Sequence, residues 1–205
     1  MFIRLSHLIS IRNQHYIFLC LDFESDYDHQ SPAMAPRIFF ITGTSTGFGS
    51  SLVNTVLEKG DYVVATARDS SKLSFLGANS SNSLFVDLDV TKQDSIDAAF
   101  DAALKKFNRI DVVVNNAGYG LSGEFESLSD RQIRTQMEVN FFGLVNVTRK
   151  AMQIMRDQGS GGRIQQITSI GGQIGISFLT PLLSTILTVL RCPYVLHILR
   201  FKMGC

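Results

Sequence analysis

The residues of this chain whose types and spacing could do chemistry begin with three glycines. Gly43, Gly47 and Gly49 follow the apolar run Ile38-Phe39-Phe40-Ile41 and lead into a segment with Leu52, Val53, Val56 and Leu57 on one helical face, ending at Gly60. An apolar run that breaks into a glycine-rich turn and then a helical pattern reads as a buried parallel strand, a tight turn and a helix. In such a turn the first glycine lets the strand reverse sharply. The second lets a ligand phosphate approach the backbone, and the third lets helix and strand pack closely. The helix start, through Ser45, Thr46, Gly47, Phe48 and Gly49, then offers free N–H groups and the positive end of its dipole to a pyrophosphate. An ordinary strand–turn–helix with spare glycines would look the same in isolation.

Arg68 ends the second apolar run. A carboxylate at that place would hold the ribose 2′-hydroxyl of NAD, whereas an arginine suits the 2′-phosphate of NADP through paired hydrogen bonds. NADP is therefore the expected cofactor and NAD the less favoured one, the plain alternative being a solvated surface arginine beside Asp69. Asp87 ends a third strand, where an aspartate can also simply cap a turn. Asn115 and Asn116 stand at the C-terminal edge of a fourth strand, the edge at which open α/β sheets bind ligands. Ala117 and Gly118 after them are small enough for the backbone to approach a ribose. Asn140 lies inside a helical pattern, an odd choice on propensity grounds. Ser169 follows a fifth strand, and no metal ligation is expected.

The spacing Thr42-Gly43-x-x-x-Gly47-x-Gly49 is followed in order by Asn115-Asn116-Ala117-Gly118, by Asn140 within Val139-Asn140-Phe141-Phe142-Gly143, and by Ser169 within Ile167-Thr168-Ser169-Ile170-Gly171-Gly172. This ordered set resembles the short-chain dehydrogenase/reductase family over residues 34–175. The resemblance implies an NADP-dependent oxidoreductase that moves hydride between its cofactor and a small carbonyl or secondary alcohol. It implies that Asp87 meets the adenine amino group and that Leu88 lines the adenine pocket. Asn140 would hold a relay water through its backbone and side chain. Ser169 would hydrogen-bond the substrate carbonyl oxygen as hydride arrives.

Family members complete the site with Tyr-x-x-x-Lys about 12–14 residues after that serine, one turn apart on one helix face. The tyrosine is the acid/base, and the lysine lowers its pKa and holds the ribose. Here the window contains Pro181, Leu182 and Leu183, with Ile186 a turn later, and the downstream Tyr194 has Ile198 four residues on. The chain as written is thus expected to be inactive or very weak. The competing reading is a non-catalytic dinucleotide-binding or interaction protein, a truncated isoform or the product of a translated intron or shifted frame.

The elements that must position these residues alternate strand and helix, which implies a parallel sheet with right-handed crossovers. Strands are expected at 38–41, 61–67, 83–88, 110–114 and 163–168. Thr91 is placed to cap a helix with Asp94 in its first turn and Ile96, Phe100, Ala103, Leu104 and Phe107 inward. Ser129 and Gln132 form a capping-box pattern opening a long helix to about Arg156, with Ile133, Met137, Phe141, Leu144, Thr148, Met152 and Met155 on one face. The fold class is α/β: a Rossmann-type doubly wound parallel sheet of order 3-2-1-4-5, C-terminally truncated. With no further helix, Ile164, Ile167 and part of the methionine-rich face are expected to lie open.

Residues 1–33 read as a non-family N-terminal extension and 34–175 as an incomplete NAD(P)-binding Rossmann domain. Residues 176–205 read as a non-family apolar tail, with Arg191, Arg200 and Lys202 but no acid, poorly packed on the rest. Its apolar run falls short of the roughly 20 residues a spanning helix needs, so no membrane partner is expected. Net charge +1 with 18% charged residues gives no basic field for nucleic acid. Cys20, Cys192 and Cys205 lie outside the motif-bearing body, which suggests a reducing, cytoplasmic setting. A homodimer is expected only for a full-length form.

Overall fold

The computed structural model describes residues 35–121, 123–167 and 196–201. The extension 1–33, all three cysteines, Ser169 and most of the tail 176–205 lie outside the described residues. Successive side chains of a strand point to opposite faces, and in the central strands both faces are buried. Strand β1 (Ile38–Ile41) sends Ile38 and Phe40 to one layer and Ile41 to the other. Likewise Val64 of β2 (Tyr62–Ala67) and Val113 of β4 (Val112–Asn115) join Phe40, while Val63, Ala65, Val112 and Val114 join Ile41. Apolar residues on both faces require cover on both faces. Helix α1 (Gly47–Glu58) covers one side with Val53, Val56 and Leu57. Helices α2 (Gln93–Phe107) and α4 (Leu144–Asp157) cover the other, where Phe100 stacks on Phe40 with ring centroids 4.2 Å apart.

Adding β3 (Ser83–Asp87) and β5 (Gly162–Ile167), the sheet runs β3-β2-β1-β4-β5 with every pair parallel. A sixth strand, β6 (Leu196–Phe201), extends it antiparallel to β5, with Gly162 opposite Phe201 and Ile167 opposite Leu196. Residues 196–201 of the expected poorly packed tail thus add a strand to the five expected, and the rest of the tail lies outside the described residues. The edge of β5 presents a row of N–H and C=O groups, and an acid-free segment can pair with it whatever its side-chain pattern.

Carboxylates anchor the opposite, N-terminal edge. Asp61 accepts Arg37 N–H at 2.9 Å and pairs with its guanidinium at 2.6 Å, while Asp111 accepts Ile38 N–H at 2.8 Å and pairs with Arg109 at 3.1 Å. Asp111 precedes β4 rather than lying within it.

The helices depart from expectation in two places. Thr91 does not cap α2: its hydroxyl donates to Asp89 at 2.7 Å in a local turn, and Lys92 takes the cap position without a side-chain bond. The long helix expected from Ser129 to Arg156 is three consecutive segments. Helix α3 (Asp130–Met137) passes into a π-helical turn, Glu138–Gly143, and then into α4. The buried face lies about one residue ahead of the expected one on both sides of the π turn. Gln136, Gly143, Val147, Ala151, Ile154 and Met155 are buried, whereas Ile133, Met137, Phe141, Leu144, Thr148 and Met152 are only half-buried. Gly143 is where this helix crosses the β3–α2 connection, since a Cβ there would lie 2.7 Å from Val90 Cγ2. Helix α4 also closes over β5, so Ile164 is fully buried and Met155 nearly so, contrary to the open face expected there, while Ile167, Met137 and Met152 are half-buried. Among the described residues, no helix is long and apolar enough to cross a membrane.

Candidate functional site

At the C-terminal edge of β1 the three glycines do different jobs. Gly43 has φ +69°, and a Cβ there would stand 2.8 Å from Ala117 Cα. A Cβ on Gly49 would collide with the Gly43 carbonyl oxygen and lie 2.5 Å from Asn116 Nδ2. Both glycines let backbone meet backbone. Gly47 has φ +61° with nothing within 4 Å of its Cβ position, so it faces open space. The helix that starts there is not closed by its own side chains. Thr46, the N-cap, is extended (φ −154°) and makes no side-chain cap bond, and no acid stands in the first turn of α1. Ser45, Thr46 and Gly47 are exposed and Phe48 is half-buried. An α-helix leaves its first N–H groups unsatisfied, with partial positive charge. The place fits an anion.

A hydrogen-bond clamp holds this turn. Thr42 Oγ1 accepts the N–H groups of Asn116 (3.0 Å) and Ala117 (2.9 Å). Asn116 Nδ2 returns two bonds, to the carbonyls of Thr42 (3.0 Å) and Gly43 (2.9 Å). On the other flank, Thr44 donates from its N–H and hydroxyl to Thr66 O at 2.9 and 3.1 Å. The β1 turn is thereby fixed between β2 and β4, and a ligand would meet it already formed.

The β4 turn is held from the π segment. Asn140 Nδ2 donates to Tyr119 O at 2.8 Å and Asn140 Oδ1 accepts Tyr119 N–H at 3.1 Å, so the side-chain amide closes on one residue's backbone as a neighbouring strand would. One donor hydrogen of Nδ2 and one acceptor position of Oδ1 are used in this way, and the second of each is left over for the water expected there. Gln136, wholly buried, donates to the same carbonyl at 3.3 Å and leaves its Oε1 without a partner among the described residues. Gly118 packs beneath, its Cβ position 3.2 Å from Asn140 Oδ1.

Asn115 is buried, and its Nδ2 donates to Thr148 Oγ1 (2.8 Å) and Gln166 Oε1 (2.9 Å), tying β4 to α4 and β5, while its Oδ1 has no partner among the described residues. Leu88, expected in an adenine pocket, is only 4% exposed and packs in the core, which leaves its backbone for any ligand. Asp87 is exposed, with one oxygen accepting Ser70 N–H at 2.7 Å; that bond holds its carboxyl below the usual range. Arg68 is exposed just past β2. The structure therefore brings Gly43 to Gly49, Arg68, Asp87, Ala117, Gly118 and Asn140 to one edge of the sheet. Thr42, Gln136, Thr148 and Gln166 were missed by the sequence reading. Thr42 alone had a signal, its place immediately before Gly43.

Fold and turn together define a doubly wound sheet with an anion-accepting glycine turn at its first crossover. Known proteins narrow that class. A family model described as short chain dehydrogenase matches residues 37–181, running past the Gly175 boundary drawn from the motifs. An uncharacterized oxidoreductase of Schizosaccharomyces pombe is 43% identical over 132 residues, 64% of this chain and 44% of that protein. Oxidoreductase calM of Penicillium decumbens is 44% identical over 144 residues, 67% of this chain and 47% of that protein. Among solved structures, the 3-ketoacyl-(acyl-carrier-protein) reductase of Brucella melitensis, complexed with NADH, superposes with TM-score 0.68 at 28% identity, over 75% of this chain and 65% of that one. ElxO with NADP bound gives TM-score 0.68 at 28% identity, over 76% and 64%. The chain belongs to the short-chain dehydrogenase family. It spans about half the length of the curated relatives it matches.

Proposed function

We propose that residues 35–167 form the adenine- and pyrophosphate-binding half of an NADP-dependent oxidoreductase acting on a small carbonyl or secondary alcohol. The observation that carries this is the α1 N-terminus: uncapped, acid-free, exposed, and held by a clamp that needs no ligand. Its N–H groups would hold the pyrophosphate, with Gly47 leaving the approach clear. Arg68 would pair with a 2′-phosphate, Asp87 would accept from the adenine amino group, and the Ala117–Gly118 backbone would lie along the ribose. When bound, the dinucleotide supplies or removes a hydride. Ser169, outside the described residues, would steady the substrate oxygen, and the Asn140 backbone would serve proton delivery. Both related structures with a nicotinamide nucleotide support the cofactor class.

Turnover by these 205 residues is expected to be very low. None of the tyrosines is followed four residues later by a lysine, and lack of a positioned acid/base costs on the order of 10²–10⁴ in rate. Binding without turnover is thus the second reading, and it shares the same site. Calorimetric titration of the 205-residue chain with NADP and NAD tests the proposal. NADP should bind more tightly, and Arg68→Ala should abolish the difference. Tighter NAD binding, or no binding of either, would contradict it.

A further inference from the structure

Arg68 is followed directly by an acid, which for a 2′-phosphate is the wrong charge in the wrong place. Asp69, however, is not a free carboxylate. One oxygen accepts Ser71 N–H at 3.2 Å and the Ser71 hydroxyl at 2.5 Å, while the other lies 2.8 Å from Lys72 Nζ. The single 3-10 turn Ser70–Lys72 closes back on the acid that caps it. Asp87 accepts the N–H of Ser70 at 2.7 Å, which pins the turn to the end of β3. Among the described residues, no ion pair joins Arg68 to either carboxylate. Were Asp69 released, it would compete for the neighbouring guanidinium and repel a doubly charged phosphate.

We propose that Lys72 is a specificity-determining residue that acts through Asp69: with Ser71 it sequesters the Asp69 carboxylate and leaves Arg68 for a 2′-phosphate. The inference rests on the NADP reading above and deepens it. Lys72 is a positioning residue here, since its ammonium is spent on Asp69 rather than offered to the ligand. The charges behave accordingly, with the Asp69 carboxyl held below its usual range by the Lys72 and Ser71 bonds and the Lys72 ammonium strengthened by Asp69. Both groups are exposed, so the effect is modest: an exposed ion pair is worth about a two- to five-fold change in affinity.

The test uses the 205-residue chain and two fragments that reach only this half of the site, adenosine 2′,5′-bisphosphate and adenosine 5′-monophosphate. Their affinity ratio, measured by calorimetry, isolates the 2′-phosphate. The unmodified chain should prefer the bisphosphate, and Arg68→Ala should reduce that preference about tenfold or more. Lys72→Ala should reduce it about two- to five-fold with monophosphate affinity unchanged, and Asp69→Asn added to Lys72→Ala should restore it. An unchanged ratio in Lys72→Ala overturns the inference. So does a double variant as weak as Lys72→Ala, which would put the ammonium on the phosphate itself. If instead the unmodified chain shows no preference, or Arg68→Ala changes nothing, the NADP reading fails independently of Lys72. All positions are exposed, and matching far-UV circular dichroism and unfolding midpoints confirm that folding is unaltered.

Discussion

Helices α1 and α3 both start behind a hydroxyl residue, and only α3 uses it. Ser129 Oγ accepts Gln132 N–H at 3.4 Å, Gln132 Oε1 accepts Ser129 N–H at 2.9 Å, and Asp130 stands in the first turn. Donors and dipole of α3 are answered from within the chain. Thr46 of α1 makes no such bond and α1 has no early acid. Helix α2 also lacks a side-chain cap, but Asp94 sits in its first turn. An unused cap costs about 1 kcal/mol. In α1 the open end coincides with a clamped turn, a glycine facing empty space and an exposed arginine. The contrast separates a helix end that serves the fold from one available to a ligand.

The contrast can be broken most severely at Gly49. In Gly49→Val the new side chain meets the Gly43 carbonyl and the Asn116 amide, both held by the clamp. Such overpacking costs about 1–3 kcal/mol or more, so chemical denaturation should show a large loss, with dinucleotide binding lost as well. Gly47→Ala sharpens the distinction. Its φ of +61° strains any L-residue, by about 1–2 kcal/mol, yet the added methyl meets no protein atom within 4 Å. Affinity should fall further than stability does; an unchanged dissociation constant would show that this glycine does not face the ligand. Ser129→Ala should cost about 1 kcal/mol of stability and leave dinucleotide affinity untouched, since α3's cap serves only the fold.

The smallest effect is the pH dependence. Asp87, Asp89 and Asp97 are all held below the ordinary carboxyl value of 3.8, chiefly by the Ser70 N–H, the Thr91 hydroxyl and the Lys150 ammonium respectively. A carboxyl depressed in the folded state adds stability that is present above its unfolded pKa and is lost as pH falls through its folded one. Unfolding midpoints should therefore be level down to about pH 5 and decline below about pH 4. A rise in stability over that lower window would contradict these assignments.

Local patterns made the scaffold legible in the sequence. The β1–turn–α1 unit, the alternation of strand and helix and the α3 capping box all depend on residues within a few positions of one another. What escaped depends on distant contacts. Asn140 meets Tyr119 across 21 residues, and only that contact shows its amide bracing the β4 turn. The buried face lies only one residue from the expected one, so that Gln136 is buried and Met137 half-buried, a rotation too small to read from periodicity. Leu88 follows the end of β3, where alternation no longer tells core from pocket. β6 pairs through its backbone, to which side-chain pattern is a poor guide.

Thr46→Asp tests the central claim most directly, because fold and function should move in opposite directions. Aspartate is a better N-cap than threonine and complements the dipole, so it should satisfy the open N–H groups of α1 and raise stability by about 0.5–1 kcal/mol. The same carboxylate would occupy and repel the place of the pyrophosphate, lowering NADP affinity about tenfold or more through a lost charge-assisted contact. Denaturation and NADP titration on the same preparation read both effects. A more stable protein that binds NADP poorly is the predicted result, and one that binds NADP as well as before would show that the α1 N-terminus is not the cofactor site.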